Sequence, residues 1–215
     1  SKHSAMSVNH KEAMKWFEHR KAGYEELISA ITPYIIQDSV IFDIGANVGY
    51  FSLLLAEKTD FKGSIYLFEP LPNLASICEE TFRDSPYEAK VFNYGLSDND
   101  SEEDIFVASN GNLGWNTIVQ SKASDDMEKV RIKLKKFENS EVNSIPTFIK
   151  IDVEGAEFLV LQGAKEILKT DRPYILFEFG LGANDYYEVD VMIQTIDGQS
   201  DFKLGSGQIY FNYNI

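Results

Sequence analysis

Four short stretches carry the residue types that chemistry needs. The first is Phe42-Asp43-Ile44-Gly45-Ala46-Asn47-Val48-Gly49, where an apolar run ends in small residues and a helical pattern follows. Gly45 and Gly49 let the backbone approach a ligand closely, and a helix start offers unpaired N–H groups. The spacing is neither the Gly-x-Gly-x-x-Gly of pyrophosphate-binding turns nor a P-loop. Asp43 would repel phosphate and suits an ammonium or sulfonium group; a tight strand-to-helix turn with no ligand is the plainer alternative. The second stretch is Leu67-Phe68-Glu69-Pro70. Glu69 ends an apolar run, where a carboxylate can accept hydrogen bonds from both hydroxyls of a ribose or help to cap the next helix. The third is Phe148-Ile149-Lys150-Ile151-Asp152-Val153-Glu154-Gly155-Ala156-Glu157. Lys150 and Asp152 share one face of a strand, and such charges are costly unless partnered. Asp152 falls at the carboxyl end of that strand, where open α/β sheets bind ligands, while Glu154 and Glu157 suit the first turn of the next helix. The fourth is Phe177-Glu178-Phe179-Gly180, in which Glu178 either pairs with Lys150 on an adjacent strand or faces a substrate.

These residues need elements to position them. Met14, Phe17, Tyr24, Ile28 and Ile31 recur at helical spacing over residues 11–31, with Gly23 a candidate break and Pro33 marking the end. A strand at 39–44, a helix at 48–57, a strand at 64–68, a helix at 71–82 and a third strand at 90–96 follow. That alternation predicts right-handed crossovers and a parallel sheet with helices on both faces. Residues 97–136 break the pattern. They are rich in Ser, Asp, Asn and Gly, with short β-like runs at 104–108, 116–120 and 130–134, and read as an antiparallel excursion or a long loop that could act as a lid. A strand at 147–153, a helix at 156–168 and a strand at 174–179 resume the alternation. An ambiguous helix at 188–196 precedes a closing hairpin of 202–204 and 208–213. The expected organisation is an N-terminal helical segment, 1–38, and an α/β domain, 39–215, with its insertion at 97–136.

Composition narrows the chemistry. With 20 basic and 34 acidic residues among 215, the formal net charge is −14, which argues against holding a nucleic-acid backbone. A 44% hydrophobic share with 13% aromatics is enough for a core and excludes a disordered chain. Cys78 is the single cysteine, so no internal disulfide and no thiolate zinc cage can form. No apolar run reaches the roughly 18 residues of a membrane helix, and no basic-then-apolar leader is present. A cytoplasmic location is expected.

The four stretches together resemble the FkbM-type family of class I, S-adenosylmethionine-dependent methyltransferases. Lys150-Ile151-Asp152-Val153-Glu154-Gly155-Ala156-Glu157 is the most specific of them, and the resemblance covers roughly residues 39–180. It implies a Rossmann-like α/β fold, a mostly parallel seven-stranded sheet with a reversed last strand. It implies that Asp43, Gly45, Asn47 and Gly49 line the methionine end of the cofactor, that Glu69 holds its ribose, and that Ser97 and Asp98 lie beside the adenine. Gly111-Asn112-Leu113-Gly114-Trp115-Asn116 resembles the family's glycine-rich loop, making Trp115 and Asn116 candidate substrate contacts. The sequence departs from the family at Lys133-Leu134-Lys135, where members usually carry Thr-Leu-Asp.

Methylating a hydroxyl requires in-line alignment and removal of a proton. His3, His10 and His19 all precede the first sheet strand, so the base is expected to be a carboxylate: Asp152 first, then Glu178 or Glu154, with Asp152 also at the cofactor. A divalent cation held by these acids is the less favoured route, since no ligand set can be read. The expected function is O-methylation of a hydroxyl on a sugar, glycan or other small molecule; the alternative is a catalytically silent cofactor-binding or scaffold module. The short chain leaves little room for a substrate domain, so acceptor recognition is expected to rely on the loop, the N-terminal helix, or a neighbouring domain or subunit.

Overall fold

The computed structural model describes residues 8–108, 116–117, 127–178, 200–205 and 208–213, with side chains for 8–107 and 127–177. The strands in chain order are β1 (Val40–Ile44), β2 (Ser64–Phe68), β3 (Glu88–Phe92), β4 (Gly95–Ser97), β5 (Ser101–Ala108), β6 (Asn116–Thr117), β7 (Met127–Lys136), β8 (Phe148–Ile151), β9 (Tyr174–Glu178), β10 (Ser200–Gly205) and β11 (Gln208–Tyr213). The α-helices are α1 (His10–Glu18), α2 (Lys21–Ile31), α3 (Tyr50–Thr59), α4 (Pro72–Arg83), α5 (Glu157–Gly163) and α6 (Lys165–Thr170).

The main sheet has the order β10-β11-β9-β8-β1-β2-β3. Its β3-β2-β1-β8-β9 pairs are all parallel, and β11 alone runs against its neighbours. This is the expected Rossmann-like α/β sheet closed by a C-terminal hairpin. Both faces are covered, which is why β1 and β8 are buried nearly throughout and are apolar but for Asp43 and Lys150. Phe42, Ile44, Ile149 and Ile151 point into a core shared with Phe137, Val160 and Leu161. Ile41 and Phe148 point the other way, toward Ile28, Phe51, Leu55 and Phe82. By the period of two, Asp43 and Lys150 fall on that second face and sit opposite one another in register. Strand order reverses between β1 and β8, so a crevice opens at their carboxyl ends.

Three boundaries differ from the sequence reading. The first is the helix break, which lies at His19–Arg20 and leaves Gly23 inside α2. The start of α1 follows local chemistry instead: the Asn9 side chain accepts from the Glu12 N–H at 2.9 Å, and the Glu12 carboxylate accepts from the Asn9 N–H at 3.1 Å. The second is the expected strand at 90–96, which is two strands. Asn93 donates to the carbonyls of Glu69 and Pro70, both at 3.0 Å, and the chain leaves β3 for a second sheet at β4. The third is the helix at 156–168, which divides at Ala164 into α5 and α6.

The 97–136 segment is the antiparallel alternative. The second sheet has the order β4-β7-β5-β6, built on a ladder from Ser101↔Leu134 to Ala108↔Met127. Its inner residues Ile105, Val107, Ile132 and Leu134 pack with Leu74 and Ile77 of α4 and with Ala13 and Phe17 of α1. The N-terminal helices therefore share one core with this sheet. The expected helix at 188–196 lies outside the described residues. No helix among the described residues is long and apolar enough to cross a membrane.

Candidate active site

The turn after β1 is shaped by what surrounds it. The N–H groups of Gly45 and Ala46 both donate to the Phe68 carbonyl at 3.0 Å, which holds the turn against the end of β2. Gly45 has φ +82°, and a Cβ there would lie 2.0 Å from the Asp152 carbonyl oxygen. The ends of β1 and β8 thus touch at a point where no side chain fits. Gly49 caps α3 with φ +77°, and a Cβ on it would meet the Cys78 sulfur at 2.8 Å. Gly49 serves the packing of α3 on α4 rather than the cleft.

Beneath the turn lies a buried ion pair. Asp43 is fully buried; its carboxylate accepts from the Lys150 ammonium at 3.0 Å and from the Ser52 hydroxyl at 2.5 Å. The Lys150 ammonium also sits 5.3 Å from the centre of the Phe51 ring. Burial pulls the Lys150 ammonium down, but Asp43 and Asp152 more than offset this and hold it above the ordinary lysine value. Lys150 thus has a partner on β1, at the position register predicts.

Glu69 is presented differently. It is buried at the end of β2, and its carboxylate accepts from the Asn47 N–H at 2.8 Å and the Leu71 N–H at 3.0 Å. Burial pushes its carboxyl up to about 7, against the pull of those two N–H groups. Each carboxylate oxygen keeps a further lone pair for a ligand.

The turn after β8 places the remaining acids. The Asp152 N–H donates to the Ile44 carbonyl at 3.0 Å, extending the β1–β8 pairing by one step. Glu154 has φ +50° and Gly155 φ +113°. Glu157 clasps this strained turn by accepting from the N–H groups of Val153 at 3.1 Å and Gly155 at 3.0 Å. Its role is to hold the turn. One oxygen of Asp152, Oδ1, is buried without a hydrogen-bond partner among the described residues.

One cleft gathers these groups. Gly45, Asn47, Glu69, Ser97, Asp152 and Glu154 line it. Asp43 and Gly49 lie below it, and Asp98 is exposed beyond Ser97, whose hydroxyl it accepts at 3.4 Å. Trp115 lies outside the described residues; Asn116 is placed as backbone in β6, opposite Val107, and Glu178 as backbone at the end of β9. Their side chains lie outside the described ones. Of the histidines, His19 is exposed and His10 half-buried, and neither lines the cleft.

The sequence reading offered the N-terminal helix for recognition but did not pick out Arg20, Tyr24, Tyr50 or Phe51 as a cover. Phe17, Arg20 and Tyr24 from the N-terminal helices close one side of the cleft with Tyr50 and Phe51. Phe17 stacks on Tyr50 at 5.7 Å, and Tyr24 meets Phe51 edge-on at 5.4 Å. Ile105, Ile132 and Leu134 of the second sheet form an apolar wall. The available signal was the helical spacing of Phe17 and Tyr24, which marks a buried face without saying what it faces. The Lys133-Leu134-Lys135 departure is absorbed locally: Leu134 joins the wall, and Lys135 pairs with Glu141 at 3.2 Å over the Tyr94 ring. Among the described residues no group of three or more His, Cys, Asp or Glu side chains is placed to hold a metal ion.

Comparison with known proteins gives the family and the fold. The chain is 24% identical over 169 residues to the hexuronic acid methyltransferase AglP of Haloferax volcanii, covering 75% of this chain and 64% of that protein. Among solved structures it resembles a methyltransferase FkbM from Methylobacillus flagellatus, with TM-score 0.60 and 17% identity over 82% of this chain and 44% of that one. It also resembles the S-adenosylhomocysteine-bound methyltransferase PaMTH1 of Podospora anserina, with TM-score 0.55 and 14% identity over 100% of this chain and 91% of that one. The chain therefore spans less than two thirds of AglP and under half of the Methylobacillus protein. The model of the methyltransferase FkbM domain matches residues 43–202, and the chain belongs to that family.

Proposed function

We propose that this chain is an S-adenosylmethionine-dependent methyltransferase that methylates a hydroxyl of a sugar, glycan or other small molecule. One observation carries the reading: a single cleft presents the buried Glu69 carboxylate at the end of β2 and the unpartnered Asp152 oxygen at the end of β8. The residues fit an adenosyl sulfonium ligand. Glu69 accepts the ribose hydroxyls, and Gly45 and Asn47 offer a side-chain-free turn beneath it. Ser97 borders the adenine with the exposed Asp98 at the rim, and Asp152 faces the charged amino acid portion. Asp43 acts from below by fixing Lys150 and the turn. When bound, the cofactor supplies an activated methyl group.

The rest falls to the protein. Holding the acceptor in line can contribute about 7–11 kcal/mol. Asp152 takes the hydroxyl proton, with Glu154 and Glu178 as the next candidates; a positioned base contributes roughly 100- to 10,000-fold. No metal is needed in this scheme. Trp115 and Asn116 contact the acceptor. The haloarchaeal relative is named for a hexuronic acid, and a sugar hydroxyl is the acceptor class we favour here. A neighbouring domain or second copy completes acceptor recognition, and the work is done in the cytoplasm.

Titration calorimetry with S-adenosylmethionine, on the wild type and Glu69→Ala, tests the cofactor site. Saturable binding weakened in the variant supports it; no binding by the wild type overturns it. Methyl transfer to a panel of neutral and acidic sugars then tests the acceptor class.

A further inference from the structure

We propose that Arg20, held over the Trp16 ring, is a carboxylate-binding subsite at the Asp152 end of the cleft. The inference rests on the cofactor reading above and adds a residue outside the 43–202 family match.

Two cations line the cleft among the described residues, Lys150 and Arg20. Lys150 is committed: its ammonium is bound to Asp43, and its side chain is 10% exposed. Arg20 is exposed at the junction of α1 and α2 and belongs to none of the ion pairs among the described residues. It is nevertheless held in place. Its guanidinium lies 4.6 Å from the centre of the Trp16 ring, and its carbonyl accepts from the Tyr24 N–H at 2.9 Å. Tyr24 meets the Phe51 ring edge-on at 5.4 Å, and that ring lies 5.3 Å from the Lys150 ammonium, which puts Arg20 on the side of the cleft where β8 ends in Asp152.

A guanidinium that is oriented but not neutralised suits the two oxygens of a carboxylate. In a chain of net charge −14, with Glu69, Asp152 and Glu154 in the same cleft, it provides the position where a ligand's negative group is favoured. Asp152, lining the same cleft, suits the opposite charge. The pair is thus matched to an amino acid zwitterion, ammonium toward Asp152 and carboxylate toward Arg20. A carboxylate can come from the amino acid portion of the cofactor or from an acidic sugar acceptor.

Calorimetry with S-adenosylhomocysteine and with 5′-methylthioadenosine, which lacks the amino acid, separates the sources. If the cofactor supplies the carboxylate, Arg20→Ala weakens S-adenosylhomocysteine about tenfold or more and leaves methylthioadenosine within about twofold. If the acceptor supplies it, both adenosyl ligands bind as before, and KM rises for a uronate-bearing acceptor but not for its neutral counterpart. Arg20→Lys retains part of either effect, and its thermal melting confirms the fold. Equal weakening of both adenosyl ligands, or no change in any of the four measurements, overturns the proposal. Wild-type protein that binds neither adenosyl ligand overturns the cofactor reading itself, and this inference with it.

Discussion

Asp43 and Asp152 end neighbouring strands one turn apart, and both belong to motifs that sequence reading assigns to a ligand. Their surroundings differ. Asp43 is fully buried with a lysine and a serine on its oxygens, whereas Asp152 keeps a buried oxygen with no described hydrogen-bond partner. The first arrangement is complete without a ligand. The second is not, and an unsatisfied acceptor in a cleft is costly unless something else uses it. A motif acid can therefore serve as a floor or as a reacting edge, and its hydrogen-bond partners distinguish the two.

Four experiments press on that contrast. The largest effect belongs to the edge: Asp152→Asn removes the proposed base and lowers turnover roughly 100- to 10,000-fold, while the loss of stability is smaller than for Lys150→Met because no described hydrogen bond is lost. Unchanged turnover would remove Asp152 from the base role. The floor behaves in the opposite way. Lys150→Met strands a buried carboxylate and costs about 3–5 kcal/mol of stability by chemical denaturation. Adding Asp43→Leu to that variant recovers most of the loss; a double variant as unstable as the single would show that the pair itself is not what matters.

Glu69 stands between the two cases, since it is bonded by backbone yet open to the cleft. Glu69→Ala weakens S-adenosylhomocysteine about 10- to 100-fold in calorimetry, the worth of hydrogen bonds to a charged group. The smallest effect is its pH dependence. The folded carboxyl ionises near 7, above its ordinary 4.5, so folding disfavours the charged form. This group makes the free protein less stable as pH rises from 4.5 to 7, and its contribution is level above that. A ribose donating to Glu69 needs the carboxylate, so affinity climbs about twofold between pH 7 and 8 and binding releases a proton below 7. Titrations in buffers of different ionisation enthalpy read that proton directly; none released at pH 6 would mean Glu69 is already ionised or uninvolved.

Much of the fold was legible because its signals are local. The mainly apolar runs of β1, β2 and β8 are the mark of a sheet covered on both faces, and Pro72 and Pro33 punctuate the helices they begin or end. The β3–β4 division was not legible, because it depends on Asn93 reaching back to the carbonyls of Glu69 and Pro70. Nor was the break between α1 and α2, since nothing in the local run of His19 and Arg20 competes with Gly23 as a breaker. In the site, Gly45, Glu69 and Asp152 were recognisable from their place at strand ends. Arg20 and Tyr24 were not, because residues far apart in sequence give no sign of facing one cleft.

The sequence by itself determined the α/β alternation, the family and the acids offered at the carboxyl edge of the sheet. These follow from short-range pattern, which a single chain states plainly. The tertiary structure alone decided which acid is neutralised and which is left open, that the 97–136 segment builds a second sheet, and that the N-terminal helices wall the cleft. Those outcomes depend on register between β1 and β8 and on burial across distant segments, and the cost of burying a charge is set by what packs against it.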